Sequence, residues 1–243
     1  MNIIKLNAIS STNTYLKALI SVTAPKDFTV VVAESQTNGR GQMGTLWQAK
    51  TGKNLTVSVF KRFNNLKIEQ QFYISMVVSV AIYKALKVFK IPKLYVKWPN
   101  DILSADQKIC GILIENSVKG NNLESSIIGF GLNVNQKNFE DLPKASSMCL
   151  QKGVLFNKDV VLTEVLKQIQ FYFEALENGN FATIKSEYES LLFRKDKAST
   201  FKTHDGITFS GIIKGVSENG MLNVWTEDNV IKTFSLKTIS LLY

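Results

Sequence analysis

The chain has 243 residues, of which 45% are apolar and 20% are charged, with 29 Lys and Arg against 20 Asp and Glu. This length and composition are typical of a globular protein with one main domain and a small second one, and they exclude a disordered chain. The net charge of +9 favours an anionic partner: a nucleic acid, a nucleotide, a carboxylate substrate or an acidic protein.

The cysteines, the histidine and the first residues exclude further classes. Two cysteines form neither a disulfide framework nor a metal cluster, and Cys110 is expected to be a reduced core residue. The single histidine, His204, is predicted to lie in a turn, so histidine-based zinc or nucleophile chemistry is not expected. Residues 1–10 do not resemble a secretory signal, and we expect no membrane-spanning run and a cytoplasmic location.

Helices and strands alternate along the first 135 residues. A polar segment, Ser10-Ser11-Thr12-Asn13, predicts the capped start of a helix over 15–20, and a second predicted helix over 69–89 is closed by Pro92. A polar loop that contains several glycines covers 35–53. The β-branched and apolar runs predict strands over 28–33, 55–60, 94–98, 109–115 and 125–134.

The pattern changes twice after residue 156. Apolar residues at helical spacing predict helices over 159–176 and 181–193. From Ala198 onward, short alternating runs separated by turn residues predict a small β-barrel of about 45 residues. The predicted architecture is therefore an α+β domain over 1–195, followed by an all-β module over 196–243.

The loop Gly39-Arg40-Gly41-Gln42-Met43-Gly44 has the spacing of a dinucleotide-binding motif. That fold requires a helix directly after the glycines and an acidic residue about 20 positions on. Here a strand follows, and Lys61 and Arg62 occupy the positions where the acid would lie, so we reject that interpretation. The glycines let backbone amides approach an anion, and Arg40 adds a charged donor, although a simple surface loop would have the same composition.

Four further stretches carry polar groups beside predicted strands. They are Gln36, Lys97-Trp98-Pro99-Asn100-Asp101, the segment from Lys108 to Glu115, and the segment from Gly129 to Asn135. Each alone is compatible with a strand end, a solvated lysine or a turn. Together with the glycine loop they predict one site, built from cations, amides and a carboxylate.

These stretches, with Ser11-Thr12-Asn13 and Gly52-Lys53-Asn54-Leu55, resemble the biotin protein ligase family in order and spacing over nearly the whole chain. The resemblance implies a catalytic domain of the biotin/lipoate ligase type with a central mixed β-sheet, and an SH3-like C-terminal β-barrel. Residues 1–10 leave no room for a winged helix-turn-helix, so we expect the short, ligase-only class without a DNA-binding domain.

The resemblance also implies a ligase that forms a C–N amide bond in two steps. The biotin carboxylate attacks the α-phosphate of ATP, with Mg²⁺, and gives biotinyl-5′-AMP and pyrophosphate. A lysine of the biotin carboxyl carrier domain of a carboxylase then attacks the mixed anhydride. The expected partner is that carrier protein, with no specific nucleic acid and no membrane, and the enzyme is expected to be a monomer or a homodimer.

Roles carried over by the resemblance make Lys108 the main catalytic residue, with Arg40 and Lys97 as further catalytic cations, and Asp101 a metal ligand. The residues implied to bind biotin are Ser11, Thr12, Asn13, Gln36, Gly39, Arg40, Gly41, Lys108 and Gly111. Those implied on the nucleotide side are Arg40, Gln42, Trp47, Asn54, Lys97, Asn100 and Asn133.

One departure from the family pattern lies in the glycine loop. Many members carry Arg where this chain has Gln42, so we expect the adenylate to be held less tightly, unless Lys50 or Lys53 compensates. The loop is expected to be mobile without ligand and ordered with it. Alternatives are a lipoate or octanoate ligase of the same superfamily, a non-catalytic biotin- or carrier-binding protein, and a nucleic-acid-binding module.

Overall fold

The computed structural model describes residues 1–139 and 142–243, except for the side chain of Met43. The strands of the first part are β1 (Asn2–Ile9), β2 (Thr29–Gln36), β3 (Leu55–Arg62), β4 (Leu94–Lys97), β5 (Asp101–Ser104), β6 (Gln107–Lys119) and β7 (Asn122–Leu132). The helices are α1 (Thr12–Val22), α2 (Phe72–Val88), α3 (Met148–Lys152), α4 (Lys158–Glu177) and α5 (Phe181–Ser190). The last strands are β8 (Ala198–Thr203), β9 (Thr208–Val216), β10 (Leu222–Thr226), β11 (Ile231–Phe234) and β12 (Ile239–Leu242).

The first seven strands form one mixed sheet in the order β1-β2-β3-β7-β6-β5-β4. Strands β1 and β2 are parallel, whereas the other neighbours are antiparallel. Because side chains alternate between the two faces of a strand, each face receives its own set of apolar residues. Helices α2 and α4 cover one face and enclose the main core, while Leu16 of α1 packs on the other face against Val31, Phe60 and Ile127.

Among the described residues, one helical segment, Ile68–Val88, is long and apolar enough to cross a membrane by length and composition alone. Of its most apolar window, 67% is buried within the protein. Residues such as Ile74, Val77 and Ile82 are completely buried in the main core. The segment is therefore accounted for as a core helix.

The last five strands form a separate antiparallel sheet in the order β11-β10-β9-β8-β12. Among the hydrogen bonds that attach it to the first part of the chain, Trp98 Nε1 donates to the Gly220 carbonyl over 2.9 Å, and the Val216 amide donates to Glu189 Oε1 over 2.9 Å. The α+β class with a mixed catalytic-type sheet and a second, C-terminal sheet is confirmed. The SH3-like shape and the division at residues 195 and 196 stay predictions.

The sequence patterns missed three elements, β1, β5 and α3, and placed the ends of several others differently. The helix predicted to reach residue 193 ends at Ser190, because the next residues pair with β4. The Val96 amide donates to the Leu191 carbonyl, and the Phe193 amide donates to the Val96 carbonyl. This short pairing brings the end of the helical region beside the strand that ends at Lys97.

Candidate active site

A cavity of about 470 Å³ lies over the centre of the large sheet, beside the start of α1. Three neighbouring strands place small residues side by side beneath it. Thr56 of β3 pairs with Gly131 of β7, which pairs with Gly111 of β6, and two residues further along β3 Ser58 pairs with Gly129. Glycines inside strands mark places where another group approaches the backbone closely. The sheet itself therefore forms the floor of the cavity.

The start of α1 supplies one end of the cavity. Ser11 is the N-cap residue, but its side chain makes no capping hydrogen bond. Gln36 takes that role from the end of β2, since its Oε1 accepts from the Thr12 amide over 2.7 Å and from Thr12 Oγ1 over 3.0 Å. Ser11 and Thr12 thus line the cavity with their positions fixed by the neighbouring strand.

Asn13 connects this end of the cavity to two residues that the sequence patterns did not single out. Its Oδ1 lies 2.5 Å from Ser58 Oγ, and its Nδ2 donates to Glu115 Oε2 over 2.6 Å. Glu115 also pairs with Arg40 of the glycine loop, at 3.3 Å from Nη2 to Oε2. The sequence does contain one indication for Ser58, since its hydroxyl lies in the largely apolar strand β3, where a buried polar group needs a hydrogen-bond partner.

The glycine loop folds back on itself rather than leading into a long helix. The Gly41 amide donates to the Thr45 carbonyl over 2.7 Å, and the Trp47 amide donates to the Gly39 carbonyl over 3.0 Å. Residues Gln42–Gly44 make a single 3₁₀ turn between them. This hairpin confirms that the loop is not a dinucleotide-binding motif.

The indole of Trp47 lies on the glycine floor of the cavity. A Cβ placed on Gly131 would lie 2.1 Å from the indole, and one on Gly111 would lie 3.2 Å from it. The ammonium of Lys108 is 5.7 Å from the ring centre. Among the described residues Trp47 Nε1 is buried without a hydrogen-bond partner, which makes it a candidate donor to a ligand.

Lys108 extends from β6 and pairs with Asp101, at 2.7 Å from Nζ to Oδ1. The pairing of β5 with β6 shifts register between Ile102 and Leu103, which leaves Ile109 as an extra residue, or bulge. Bulges redirect neighbouring side chains. Here the bulge directly follows the lysine on which the predicted chemistry depends.

Lys97 is the last residue of β4, and Asn100 lies in the turn between β4 and β5. Burial lowers the pKa of Lys97, while the nearby Asp101 carboxylate acts in the opposite direction. Asn100 holds the turn against β6, because its Nδ2 donates to the Ile112 carbonyl and its own carbonyl accepts from the Ile112 amide. The two cations Lys97 and Lys108 thus lie at one end of the cavity with a single carboxylate between their strands.

The C-terminal sheet also reaches the cavity. Lys237, in a left-handed backbone conformation (φ 65°), and Ser240 both contribute to its lining. A second, smaller cavity of about 200 Å³ continues between the two sheets, with Lys97 and Gln42 on its wall. No sequence motif pointed to Lys237 or Ser240, because only the packing of the second sheet brings them to this position.

Most residues assigned by resemblance line the one cavity. They are Ser11, Thr12, Asn13, Gln36, Arg40, Gly41, Gln42, Trp47, Lys97, Asn100, Asp101, Lys108 and Gly111.

Gly39, Asn54 and Asn133 lie outside that lining. Asn54 Nδ2 donates to Gln136 over 2.6 Å, and its Oδ1 accepts from the Val134 amide over 3.1 Å. Asn133 Nδ2 donates to the Ser146 carbonyl over 2.9 Å. Both asparagines hold the segment after β7 in place, so the geometry does not support the direct nucleotide contacts expected of them.

Cys110 and His204, for which the sequence predicted no catalytic role, have none in the structure either. Cys110 is a buried free thiol, and burial raises its pKa, so it is not a nucleophile at neutral pH. His204 lies in the turn between β8 and β9, as predicted.

Comparisons with known proteins agree with this geometry. Residues 6–133 match the model of the biotin/lipoate A/B protein ligase family. The bifunctional ligase/repressor BirA of Bacillus subtilis is 29% identical over 94% of this chain and 71% of its own length. The biotin–[acetyl-CoA-carboxylase] ligase of Mycobacterium tuberculosis is 26% identical over 87% of this chain and 79% of its own length.

Among solved structures, the biotin protein ligase of Aquifex aeolicus in complex with biotin and ATP superposes with a TM-score of 0.82 and 28% identity, over 99% of this chain and 98% of the other. The family match runs from β1 to the end of β7 and so covers most of the residues around the cavity. The chain belongs to the biotin/lipoate A/B protein ligase family.

Proposed function

We propose that this chain is an ATP-dependent biotin–protein ligase that makes biotinyl-5′-AMP and transfers the biotin to a lysine of a carboxylase's carrier domain. The observation that carries the proposal is a single cavity with two chemically different ends. The α1 end offers uncharged hydroxyl and amide groups beside the Arg40–Glu115 ion pair, and the β4–β6 end offers the cations Lys97 and Lys108. The Aquifex structure, which holds biotin and ATP in a similar fold, supports this assignment.

The uncharged end suits the ureido ring of biotin, which donates and accepts hydrogen bonds but carries no charge. Ser11, Thr12 and Gln36 would bind the ring polar groups, and the small residues of the sheet floor leave room for it. Trp47 would cover the apolar part of the ligand, since its indole already lies against Gly111 and Gly131. The biotin carboxylate would then face the cationic end.

Lys108 is the proposed catalytic residue of the first step. A carboxylate oxygen attacks the α-phosphorus, the bond from phosphorus to the bridging oxygen breaks, and pyrophosphate leaves. Both reactants are anions, so a cation fixed between them lowers their repulsion and stabilises the transition state, in which the two negative groups are brought together. Each ~1.4 kcal/mol by which Lys108 stabilises that state over the ground state is worth about tenfold in rate.

Lys97, Asn100, Lys237 and Ser240 are proposed to contact the phosphates. In the second step an amine of the acceptor attacks the carbonyl carbon of the anhydride, loses a proton and displaces AMP. Arg40 and Gln42 of the glycine loop would then hold the adenylate until the acceptor arrives, which also limits access of water to the anhydride.

The residues present fit a Mg²⁺ ion that is bound together with ATP. Asp101 is the only carboxylate among the described residues that line the cavity, and no cluster of three or more metal-ligating side chains is found in the part of the chain that the structure describes. Mg²⁺ that accompanies a nucleotide takes its ligands from phosphates, waters and one or two carboxylates. Asp101 would be that carboxylate, and the ion would neutralise phosphate charge.

The test of this function is ATP–pyrophosphate exchange by the purified protein with biotin, lipoate, octanoate or no acid. We expect exchange that depends on biotin, and a loss of at least about 100-fold in Lys108→Met. Lys214→Met is the matched control, because it removes a lysine from an ion pair of similar length, 2.8 Å, with Asp196 on the second sheet.

Other outcomes distinguish the alternatives. Exchange with lipoate or octanoate but not biotin would contradict the substrate while leaving the reaction class intact. Biotin binding without exchange would support a non-catalytic binding protein. Binding of a specific nucleic acid sequence in place of exchange would support the nucleic-acid-binding alternative.

A further inference from the structure

Tyr243, which follows β12, lies against two lysines of the large domain. The ammonium of Lys97 is 5.1 Å from the centre of the Tyr243 ring, and the ammonium of Lys144 is 4.0 Å from it. Lys144 also donates a hydrogen bond to the backbone oxygen of Tyr243. An aromatic face attracts a cation without cancelling its charge.

The ring is held in place by an aromatic row on the large domain. Tyr243 packs edge-to-face on Phe193 with 5.1 Å between ring centres, and Phe193 packs on Tyr95 with 5.5 Å between centres. Tyr95 belongs to β4, the strand that ends at Lys97. The ring and the lysine are therefore positioned by the same short strand.

The electrostatic surroundings of Lys97 make this contact important. Among the ion pairs between described residues none includes Lys97, whereas Asp101 is paired with Lys108. A half-buried ammonium needs a favourable partner to keep its charge, and a carboxylate at that distance would compete with a phosphate. The Tyr243 ring supplies attraction and leaves the charge available to an anion.

Tyr243 is also linked to the second cation, Lys108, through Lys144. The Lys144 carbonyl accepts from the Lys108 amide over 2.7 Å, so the residue that contacts the ring is bonded to the backbone of Lys108. Lys97 and Lys144 therefore both contact the ring of Tyr243, the residue directly after β12.

We propose that Tyr243 is a positioning residue, whose ring holds Lys97 at the cationic end of the cavity for the phosphates of ATP. The proposal rests on the function proposed above. It assigns to the C-terminal sheet a specific task in the first reaction step, carried out by an aromatic side chain that acts through a lysine of the large domain.

The test compares Tyr243→Leu, which removes the ring, with Tyr243→Phe, which keeps it. In pyrophosphate exchange we expect Leu to raise the KM for ATP about five- to thirty-fold, with the KM for biotin changed less than about twofold, and Phe to behave as wild type. Trp225→Leu is the control, because it removes a ring 6.0 Å from Lys214 on the far part of the same sheet. Equal defects in Leu and Phe, no defect in Leu, or equal changes for both substrates would overturn the proposal.

A double variant separates positioning from general damage. In a Lys97→Met background, Tyr243→Leu should add less than about a twofold further effect, because its target is gone. A full additional effect would contradict an action through Lys97.

Calorimetry of Mg-ATP binding without biotin tests the role of Tyr243 separately from the proposed ligase function. If the wild type shows no biotin-dependent exchange, the proposed function fails, and the ATP affinities of Tyr243→Leu and Tyr243→Phe still decide the role of the ring. Wild-type protein that binds no ATP either with or without biotin would overturn both.

Discussion

Glu115 shows how a residue without a catalytic role can organise the cavity. Its carboxylate accepts from Asn13, which lies at the start of α1, and pairs with Arg40, which lies on the glycine loop. One side chain on β6 therefore joins a fixed part of the cavity to the loop that covers it. Hydrogen bonds to a charged partner are stronger than those between neutral groups. Because Arg40 and Glu115 are both partly exposed, solvent screening reduces the contribution of their ion pair.

Replacing Glu115 by Gln is expected to loosen the loop while leaving the Asn13 contact possible. The KM for biotin should rise about three- to tenfold, because ~1 kcal/mol of loop attachment is lost, and the adenylate should dissociate faster. Glu227→Gln is the control, since Glu227 accepts from the Ser210 amide on the second sheet. An unchanged biotin KM with unchanged adenylate dissociation would show that Glu115 does not hold the loop.

The lowered pKa of Lys97 predicts a pH dependence of nucleotide binding. Burial disfavours its charged form, so the proton is lost at a lower pH than the usual value for a lysine, 10.5. ATP affinity should fall as the pH rises through that lowered value, and Lys97→Arg should keep its affinity to higher pH because arginine stays charged. Titrating ATP binding against pH in both proteins checks this, and profiles with the same midpoint would contradict it.

At the scale of elements, the glycines of β6 and β7 explain why the cavity exists. Regular strands would fill this face with side chains, as they do on the opposite face around α2 and α4. Gly111 on β6 and Gly129 and Gly131 on β7 leave the backbone bare over two neighbouring strands, and Trp47 and Asn13 approach it there. The sheet is thus shaped to receive a ligand on one face while its other face forms the core.

Gly131→Ala tests this interpretation. The new Cβ would lie 2.1 Å from the Trp47 indole, so the ring must leave its place, and biotin and adenylate affinity should fall by at least about tenfold. Gly111→Ala is the matched comparison, because its Cβ would meet only the flexible end of Lys108 and Trp47 at 3.1–3.2 Å, and a smaller loss is expected. If calorimetry shows wild-type affinity for biotin and the adenylate in both variants, the strand glycines do not define the cavity.

The sequence predicted these elements unevenly, for physical reasons. The strands that contain Val30 or Val57 and the helix around Val77 were visible because apolar residues recur with one period. In contrast, β5 offers only Ile102 and Leu103 as apolar residues, and most of β1 is exposed although it contains several apolar residues. Neither segment shows the continuous apolar run or the regular alternation that indicates a strand.

The candidate site was predicted mainly through its motifs. Lys97, Lys108 and Arg40 stand in recognisable stretches, and the structure places all three around one cavity. Ser58, Lys237 and Tyr243 carry no such signal, because their proximity depends on strand register and on how the second sheet packs. Asn54 shows the opposite case, since it stands in a motif yet makes its contacts outside the cavity.

At the scale of the whole molecule, the second sheet completes the cavity rather than standing apart from it. Gly220 lies at the contact between the two sheets, where a Cβ would be 2.0 Å from the ring of Phe72, and its φ is +84°. Its carbonyl accepts from Trp98, which stands directly after Lys97. The position of Lys237 and Ser240 in the cavity depends on this contact.

Gly220→Ala is therefore expected to affect both stability and nucleotide use. The clash and the left-handed backbone should cost about 1–3 kcal/mol of unfolding free energy, and the KM for ATP should rise more than the KM for biotin. Gly206→Ala is the control for backbone strain alone, because its φ is +92° but its Cβ would meet nothing closer than 4.0 Å. Chemical denaturation and exchange kinetics measure the two effects, and an ATP KM equal to that of Gly206→Ala would contradict the role of the contact.

The measurement that tests the whole account most directly is transfer of biotin to a purified biotin carrier domain, followed by mass spectrometry of the acceptor. With ATP, Mg²⁺ and biotin we predict one added biotin on the carrier lysine, none on a carrier with that lysine changed to Arg, and almost none with Lys108→Met. Modification that proceeds equally well in Lys108→Met, or attachment of lipoate in place of biotin, would contradict it.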